Sequence, residues 1–355
     1  MHTLTAPIRV GLIGYGLAGA TFHAPLLQAL PVYRLTAVAS SQAELLASRL
    51  PQARVVTAPE ALFDDAQIDL IVIAAPNQQH FPLAQAALRA GKHVVVDKPF
   101  TLSSTEARSL IGLAQQRGLQ LSVFHNRRWD GDFLALKDLL AQQSLGELNT
   151  FVSRIDRFRP QVRARWREQD AAGGGLLFDL APHLLDQALQ LFGQPHALYA
   201  DLAQQRSGAQ GVDYFQLHLY YRQYPALRVQ LGASCLTAAA GPRFLLHGMR
   251  GSWCKYGMDG QEDALRAGLQ PLSAGWHVAQ ERATLYDESG VAHEIALKPG
   301  NWCEFYAALA PALLTGGAPP VSAEDALQGI LLLEAAQRSA ASGQRLIVDG
   351  EEGCS

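Results

Sequence analysis

Gly14-Tyr15-Gly16-Leu17-Ala18-Gly19 spells GxGxxG directly after the apolar run 8–13, and a helical pattern begins within it. No other feature restricts the chain as much, because each glycine answers a separate steric demand. Gly14 permits the tight turn, Gly16 lets the backbone approach a pyrophosphate, and Gly19 lets helix pack on strand. The N–H groups at the helix start, from Tyr15 through Ala18, are then placed to hold the anion. Glycines recur by chance, so the spacing alone is a weak signal. The strand before it and the helix after it make the segment a candidate dinucleotide site.

The first 125 residues continue in the same manner. Apolar runs at 8–13, 35–39, 55–56, 69–75, 93–96 and 119–124 alternate with helical stretches such as 79–90 and 104–117. Gly91 and Gly118 stand where helix C-caps belong. Near-continuous apolar strands such as 70–75 suit a parallel sheet covered on both faces, so the expected fold here is doubly wound α/β. From about residue 147 the pattern changes. Strand-like runs at 148–157, 196–205, 213–221, 227–236, 243–248, 252–256, 283–287 and 292–297 follow, several alternating polar and apolar residues. Short links favour a largely antiparallel sheet with one face covered. Helical patterns are expected at 133–143, 175–192, 302–315 and 322–342. The division expected is a nucleotide-binding domain over 1–125 and a second α/β domain over 126–355.

Composition narrows the function classes. Hydrophobic residues make up 48% and charged residues 17% of the 355, enough apolar material for a sizeable core. Lys plus Arg is 29 against 32 Asp plus Glu, a net charge of −3, so no basic excess points to nucleic acid. Cys235, Cys254, Cys303 and Cys354 show no CxxC spacing, which argues against a disulfide framework or zinc site, and no metal is expected. No run is long enough to span a bilayer, and no signal-peptide pattern opens the chain, so the expectation is a cytoplasmic protein without a membrane partner.

An acidic residue usually follows the second strand of a dinucleotide fold and binds the ribose 2′-hydroxyl. Here the run 35–39 is followed by Ser40-Ser41-Gln42. No carboxylate repels a 2′-phosphate, and two hydroxyls can donate to one. The expected cofactor is therefore NADP, with NAD use open because no Arg adjoins the serines. Two further loops leave strands on the ligand side: Pro76-Asn77-Gln78-Gln79-His80, and Asp97-Lys98-Pro99. Lys98 lies between a buried run and a proline, which favours a fixed inward orientation. His80 equally fits a helix-start residue with no chemical role.

In the second half, Asp179 and His183 are four apart and share one helix face, with Asp186 three residues beyond. A carboxylate beside an imidazole can orient it as a general base. Hydride transfer from a secondary alcohol needs such a base for the hydroxyl proton, and a cation such as Lys98 for the developing alkoxide.

Taken in order, the GxGxxG turn, the Asn77/His80 loop, Asp97-Lys98-Pro99 and the Gly-rich Asp179/His183 helix resemble the Gfo/Idh/MocA oxidoreductase family over essentially the whole chain. Three longer blocks, 124–133, 164–168 and 255–268, are most similar to its NADP-dependent scyllo-inositol dehydrogenase branch. The resemblance implies a Rossmann domain and a C-terminal α/β domain with an open, mostly antiparallel sheet. It implies catalytic Lys98 and His183, with Asp179 near the substrate. It also implies a sheet face that builds a homodimer or homotetramer, and a cis peptide at Lys98–Pro99. The family's usual Glu-Lys-Pro is Asp97-Lys98-Pro99 here, one methylene shorter. For a polyol or sugar, the pocket candidates are Asn126, Arg128, Trp129, Asp130, Arg165 and Trp166. Arg128 equally fits a pair with a surface carboxylate, and Trp166 the core or an interface. A keto-sugar reductase, or a sensor that keeps the fold without the chemistry, are the alternatives. The intact Lys98, Asp179 and His183 favour an enzyme.

Overall fold

The computed structural model describes residues 6–163, 168, 173–274, 276 and 281–349. These fall into two compact units, the first drawn from 1–129, 260–278 and 301–327, the second from 130–259, 279–300 and 328–355. The sequence reading divides the chain once, at 125, whereas both units are discontinuous.

The first unit holds six strands: β1 (Ile8–Ile13), β2 (Tyr33–Ala39), β3 (Arg54–Val56), β4 (Leu70–Ile73), β5 (His93–Val96) and β6 (Leu121–Val123). All pair in parallel in the order β3-β2-β1-β4-β5-β6. The order reverses between β1 and β4, the switch point outside which such sheets bind ligands. Every residue of β4 is buried, as continuous apolar runs require when helices cover both faces. The helix Ser104–Arg117 shows how local signals set its ends. The Ser103 hydroxyl accepts from Glu106 N–H, and Gly118 closes the helix at φ 64. The run 69–75 leaves the sheet at Ile73, ahead of Pro76, which has no N–H to add to the ladder. The short helices Ala43–Arg49, Glu60–Phe63 and Gln261–Arg266 give too few turns for a helical period to be read in the sequence.

The second unit holds nine strands: β7 (Leu148–Arg154), β8 (Ala197–Ala203), β9 (Tyr214–Tyr220), β10 (Arg228–Ser234), β11 (Phe244–Gly248), β12 (Gly251–Lys255), β13 (Arg282–Tyr286), β14 (Ala292–Ala296) and β15 (Leu346–Ile347). Their order is β14-β13-β12-β11-β7-β10-β9-β8-β15. The sheet is mostly antiparallel, with β7 and β10 paired in parallel. Buried and half-buried residues alternate along β9, and the helix Gly175–Phe192 covers β9 and β10. Its helical pattern matches expectation residue for residue. Arg243 ties helix to sheet: it donates to Gln187 Oε1 at 2.7 Å and to Ser153 Oγ. Cys235, Cys254 and Cys303 are buried free thiols. No helix among the described residues is long and apolar enough to cross a membrane.

Candidate active site

The first unit brings its expected nucleotide residues to the carboxyl edge of its sheet. Gly14 adopts φ +92, and a Cβ there would lie 2.5 Å from Ala74 O. Only glycine tolerates both the conformation and the approach. A Cβ on Gly19 would lie 2.1 Å from Gly14 O, so the helix starts hard against the turn. A Cβ on Gly16 would meet nothing within 4 Å. That open cradle beside backbone N–H groups fits a dinucleotide pyrophosphate. Tyr15 and Ala18 are buried while Leu17 is exposed. A π-helical turn, Ala18–His23, leads into the helix Ala24–Gln28.

Ser40 follows β2, and its hydroxyl accepts from Gln42 N–H at 3.1 Å. Ser41 is exposed beside it. In the loop after β4, Pro76 is exposed and Asn77 buried. His80 is buried with both ring nitrogens on backbone oxygens, Nδ1 at 2.7 Å from Pro99 O and Nε2 at 3.0 Å from Ala75 O. Burial pushes its pKa down, against the pull of Asp97. Lys98 N–H donates to Asp97 Oδ1 at 2.8 Å, so the shortened acidic residue caps its own loop. The Lys98–Pro99 peptide is cis, as the resemblance implies.

Beneath these loops lies a buried polar layer that sequence reasoning missed. His23 Nδ1 is 2.7 Å from the Tyr306 hydroxyl, and Tyr33 donates to Tyr306 O at 2.7 Å. Burial lowers His23 to about 4 and raises Tyr306 well above the usual phenol range. No sequence signal announces it, because Tyr306 is nearly three hundred residues from His23.

After β6, the 3₁₀ turn Asn126–Trp129 also belongs to the first unit. Asn126 is buried. Arg128 donates to Asp325 Oδ2 at 3.2 Å, the surface-carboxylate pairing that its sequence left open. Trp129 packs edge-on to Phe305 and accepts from Asn301 N–H through its carbonyl.

In the second unit, Asp130 is fully buried at the start of the helix Gly131–Ala141. Asp179, His183 and Asp186 sit in the helix Gly175–Phe192, where His183 is 6% exposed. The helix entry is rigid: Gly175 adopts φ +76, a Cβ there would lie 2.6 Å from Val212 O, and Leu176 N–H donates to that same oxygen. Pro182 removes one N–H from the ladder in the turn just before His183. Arg157 donates to Asp179 Oδ2 at 3.3 Å. Sequence reasoning missed Arg157, one of several arginines in the stretch 154–167 and itself part of no recognisable motif. Its backbone is held by Ser234 O and by Thr237 N–H. Arg165 and Trp166 lie outside the described residues. Among the described residues no group of three or more His, Cys, Asp or Glu is placed to hold a metal.

Comparison with known proteins agrees with the fold of the two units. Residues 8–125 match a family model described as oxidoreductase family, NAD-binding Rossmann fold, and residues 137–348 its C-terminal alpha/beta domain. The chain is 50% identical over 336 residues to the uncharacterized oxidoreductase YdgJ of Escherichia coli, covering 94% of this chain and 96% of that one. It is 38% identical over 347 residues to the scyllo-inositol 2-dehydrogenase (NADP(+)) IolW of Bacillus subtilis, covering 96% of each. An oxidoreductase structure from Yersinia pestis superimposes with a TM-score of 0.91 at 46% identity, covering 98% of this chain and 99% of that one.

Proposed function

The chain belongs to the Gfo/Idh/MocA oxidoreductase family, and from that premise we propose that it is an NADP-dependent dehydrogenase of a cyclitol or sugar, acting on a secondary alcohol of a scyllo-inositol-like ring. The observation that carries this reading is the similarity to the Bacillus subtilis enzyme across 96% of both chains. The preference for NADP rests on Ser40 and Ser41, which stand where a carboxylate would favour NAD.

When bound, the nicotinamide cofactor supplies the hydride acceptor for oxidation or the donor for reduction. The chain does the rest. Backbone N–H groups along Tyr15–Ala18 hold the pyrophosphate, and the Ser40 and Ser41 hydroxyls donate to the 2′-phosphate. Pro76, Asn77 and Asp97 line the nucleotide side. Lys98 gives its positive charge to the substrate oxygen as alkoxide character develops. His183 accepts the hydroxyl proton at its imidazole, and returns it in the reverse direction. Asp179, braced by Arg157, holds the substrate side, with Asn126, Trp129, Asp130, Arg165 and Trp166 as polyol contacts. In this reading residues 1–125 carry the nucleotide and 126–355 the substrate and a homodimer or homotetramer interface.

The test is the absorbance of reduced cofactor formed from NADP or NAD across a panel of inositols and aldoses. The expected result is turnover fastest with an inositol and NADP, and a Ser41→Asp variant whose NADP/NAD ratio in kcat/KM falls by about tenfold or more. Silence across the panel, in both directions with the matching ketones, sinks the dehydrogenase reading. Equal kcat/KM for the two cofactors in the unmodified protein removes the NADP preference.

A further inference from the structure

Parallel pairing of β4 with β5 ends at Ile73 and Val96. Beyond that point the two loops that follow lose the sheet ladder, and Pro99 has no N–H with which to rebuild it. An imidazole takes over. The His80 ring is 1% exposed, and its two nitrogens reach one carbonyl in each loop, Ala75 O at 3.0 Å and Pro99 O at 2.7 Å. A buried side chain that costs this much desolvation persists where its polar contacts matter. Burial acts most strongly against a proton on the ring and Lys98 adds to it, while Asp97, itself buried, favours one.

The loop that carries Lys98 is held at both ends. On the near side Lys98 N–H donates to Asp97 Oδ1. On the far side Ser103 and Glu106 form a capping pair, with Glu106 N–H donating to Ser103 Oγ and Leu102 N–H donating to Glu106 Oε2, both at 3.2 Å. Between these anchors the contact with His80 holds Pro99. Both nitrogens lie against backbone oxygens, one of them donating in either neutral tautomer, so the ring supports the nucleotide edge from beneath rather than touching a ligand.

We propose that His80 is a positioning residue, which ties the loop after β4 to the loop after β5 and thereby aims the Lys98 ammonium at the reacting oxygen. This rests on the role given to Lys98 above. The chemistry specifies the replacements. Phe fills the ring's space without a donor, and Gln restores an N–H donor through its amide NH₂.

His80→Phe is expected to lower kcat about a hundredfold while leaving KM for the polyol and Kd for NADPH within about threefold. His80→Gln should recover about tenfold of that loss. A second readout is independent of turnover: the rate at which Lys98 is acetylated, read by mass spectrometry against exposed Lys137 in the same chain. It should rise about fivefold in His80→Phe, because the loop opens more often. If the unmodified enzyme is inert on every polyol but Lys98 labelling still rises, the positioning role stands and the dehydrogenase reading falls. If the enzyme is active and Lys98→Ala is dead, yet His80→Phe leaves both kcat and labelling unmoved, the positioning role falls alone. A weakened NADPH Kd with unchanged kcat makes His80 a nucleotide ligand instead. Failure of both variants to fold makes it a folding element, and each of these outcomes also overturns the proposal.

Discussion

In the six-stranded sheet every residue of β4 is buried, whereas along β9 of the nine-stranded sheet buried and half-buried side chains alternate. The difference decides where chemistry can sit in each unit. A strand covered on both faces, such as β4, carries no polar side chain, and Gly14, Asn77 and Lys98 stand in the loops past the strand ends. Those loops depend on glycine conformation, on Asp97 and on a buried histidine for their shape. The half-covered sheet instead supports a helix that bears the polar groups itself. Asp179 and His183 take their geometry from the helical repeat, and Arg157 donates to Asp179 from outside the helix. One candidate catalytic group is thus a loop residue needing support, the other a helix residue supported by construction.

The largest effect expected is on turnover. Lys98→Ala and His183→Ala should each cut kcat by about 10²–10⁴-fold with melting temperature unchanged, measured as initial rates with NADP and the best polyol. Near-normal turnover in either variant removes that residue from the mechanism and leaves its unit without a chemical group.

Acid sensitivity should sort with the first unit. His23 is fully buried and titrates at about 4 instead of 6.5. The unfolded chain binds the extra proton first, so the neutral ring's contribution is complete above pH 6.5 and is lost as pH falls toward about 4. The whole loss is about 3 kcal/mol. Denaturant melts from neutral to acid pH should show this slope, and His23→Asn should flatten it. An unchanged slope would assign the sensitivity elsewhere.

Next come the glycines. Gly14→Ala should destabilise by about 2 kcal/mol, since it meets Ala74 O at positive φ. Gly16→Ala, with open space around its Cβ, should leave stability within about 0.5 kcal/mol and weaken NADPH binding. Paired denaturation and fluorescence titrations check both, and equal destabilisation would contradict the cradle. The smallest effect is at Arg157. Its pair with Asp179 is partly exposed, so Arg157→Leu should change stability by less than about 1 kcal/mol. It should lower kcat/KM about tenfold if it braces a substrate-side carboxylate, and leave it unmoved if the pair is surface decoration.

Much of this was legible in residue order alone. The helix Gly175–Phe192 shows an unbroken apolar face and glycines at its start, and the helix Ser104–Arg117 carries both of its caps in sequence. The GxGxxG turn was readable because its demands are steric and local. The contacts of His80 and Arg157 were not, since nothing near either residue signals a partner nineteen or twenty-two positions away. The parallel pairing of β7 with β10 was equally hidden, because alternation reports which face is covered and not which strand lies alongside.

Periodicity, caps and the glycine turn thus determined, without any coordinates, which of the longer elements form, their order and the class of cofactor, since those depend on neighbours a few residues apart. Only the tertiary structure decided which segments join each unit, which carbonyls a buried imidazole bridges and which cation meets Asp179. Those choices depend on long-range packing and on hydrogen bonds that must be satisfied once water is excluded.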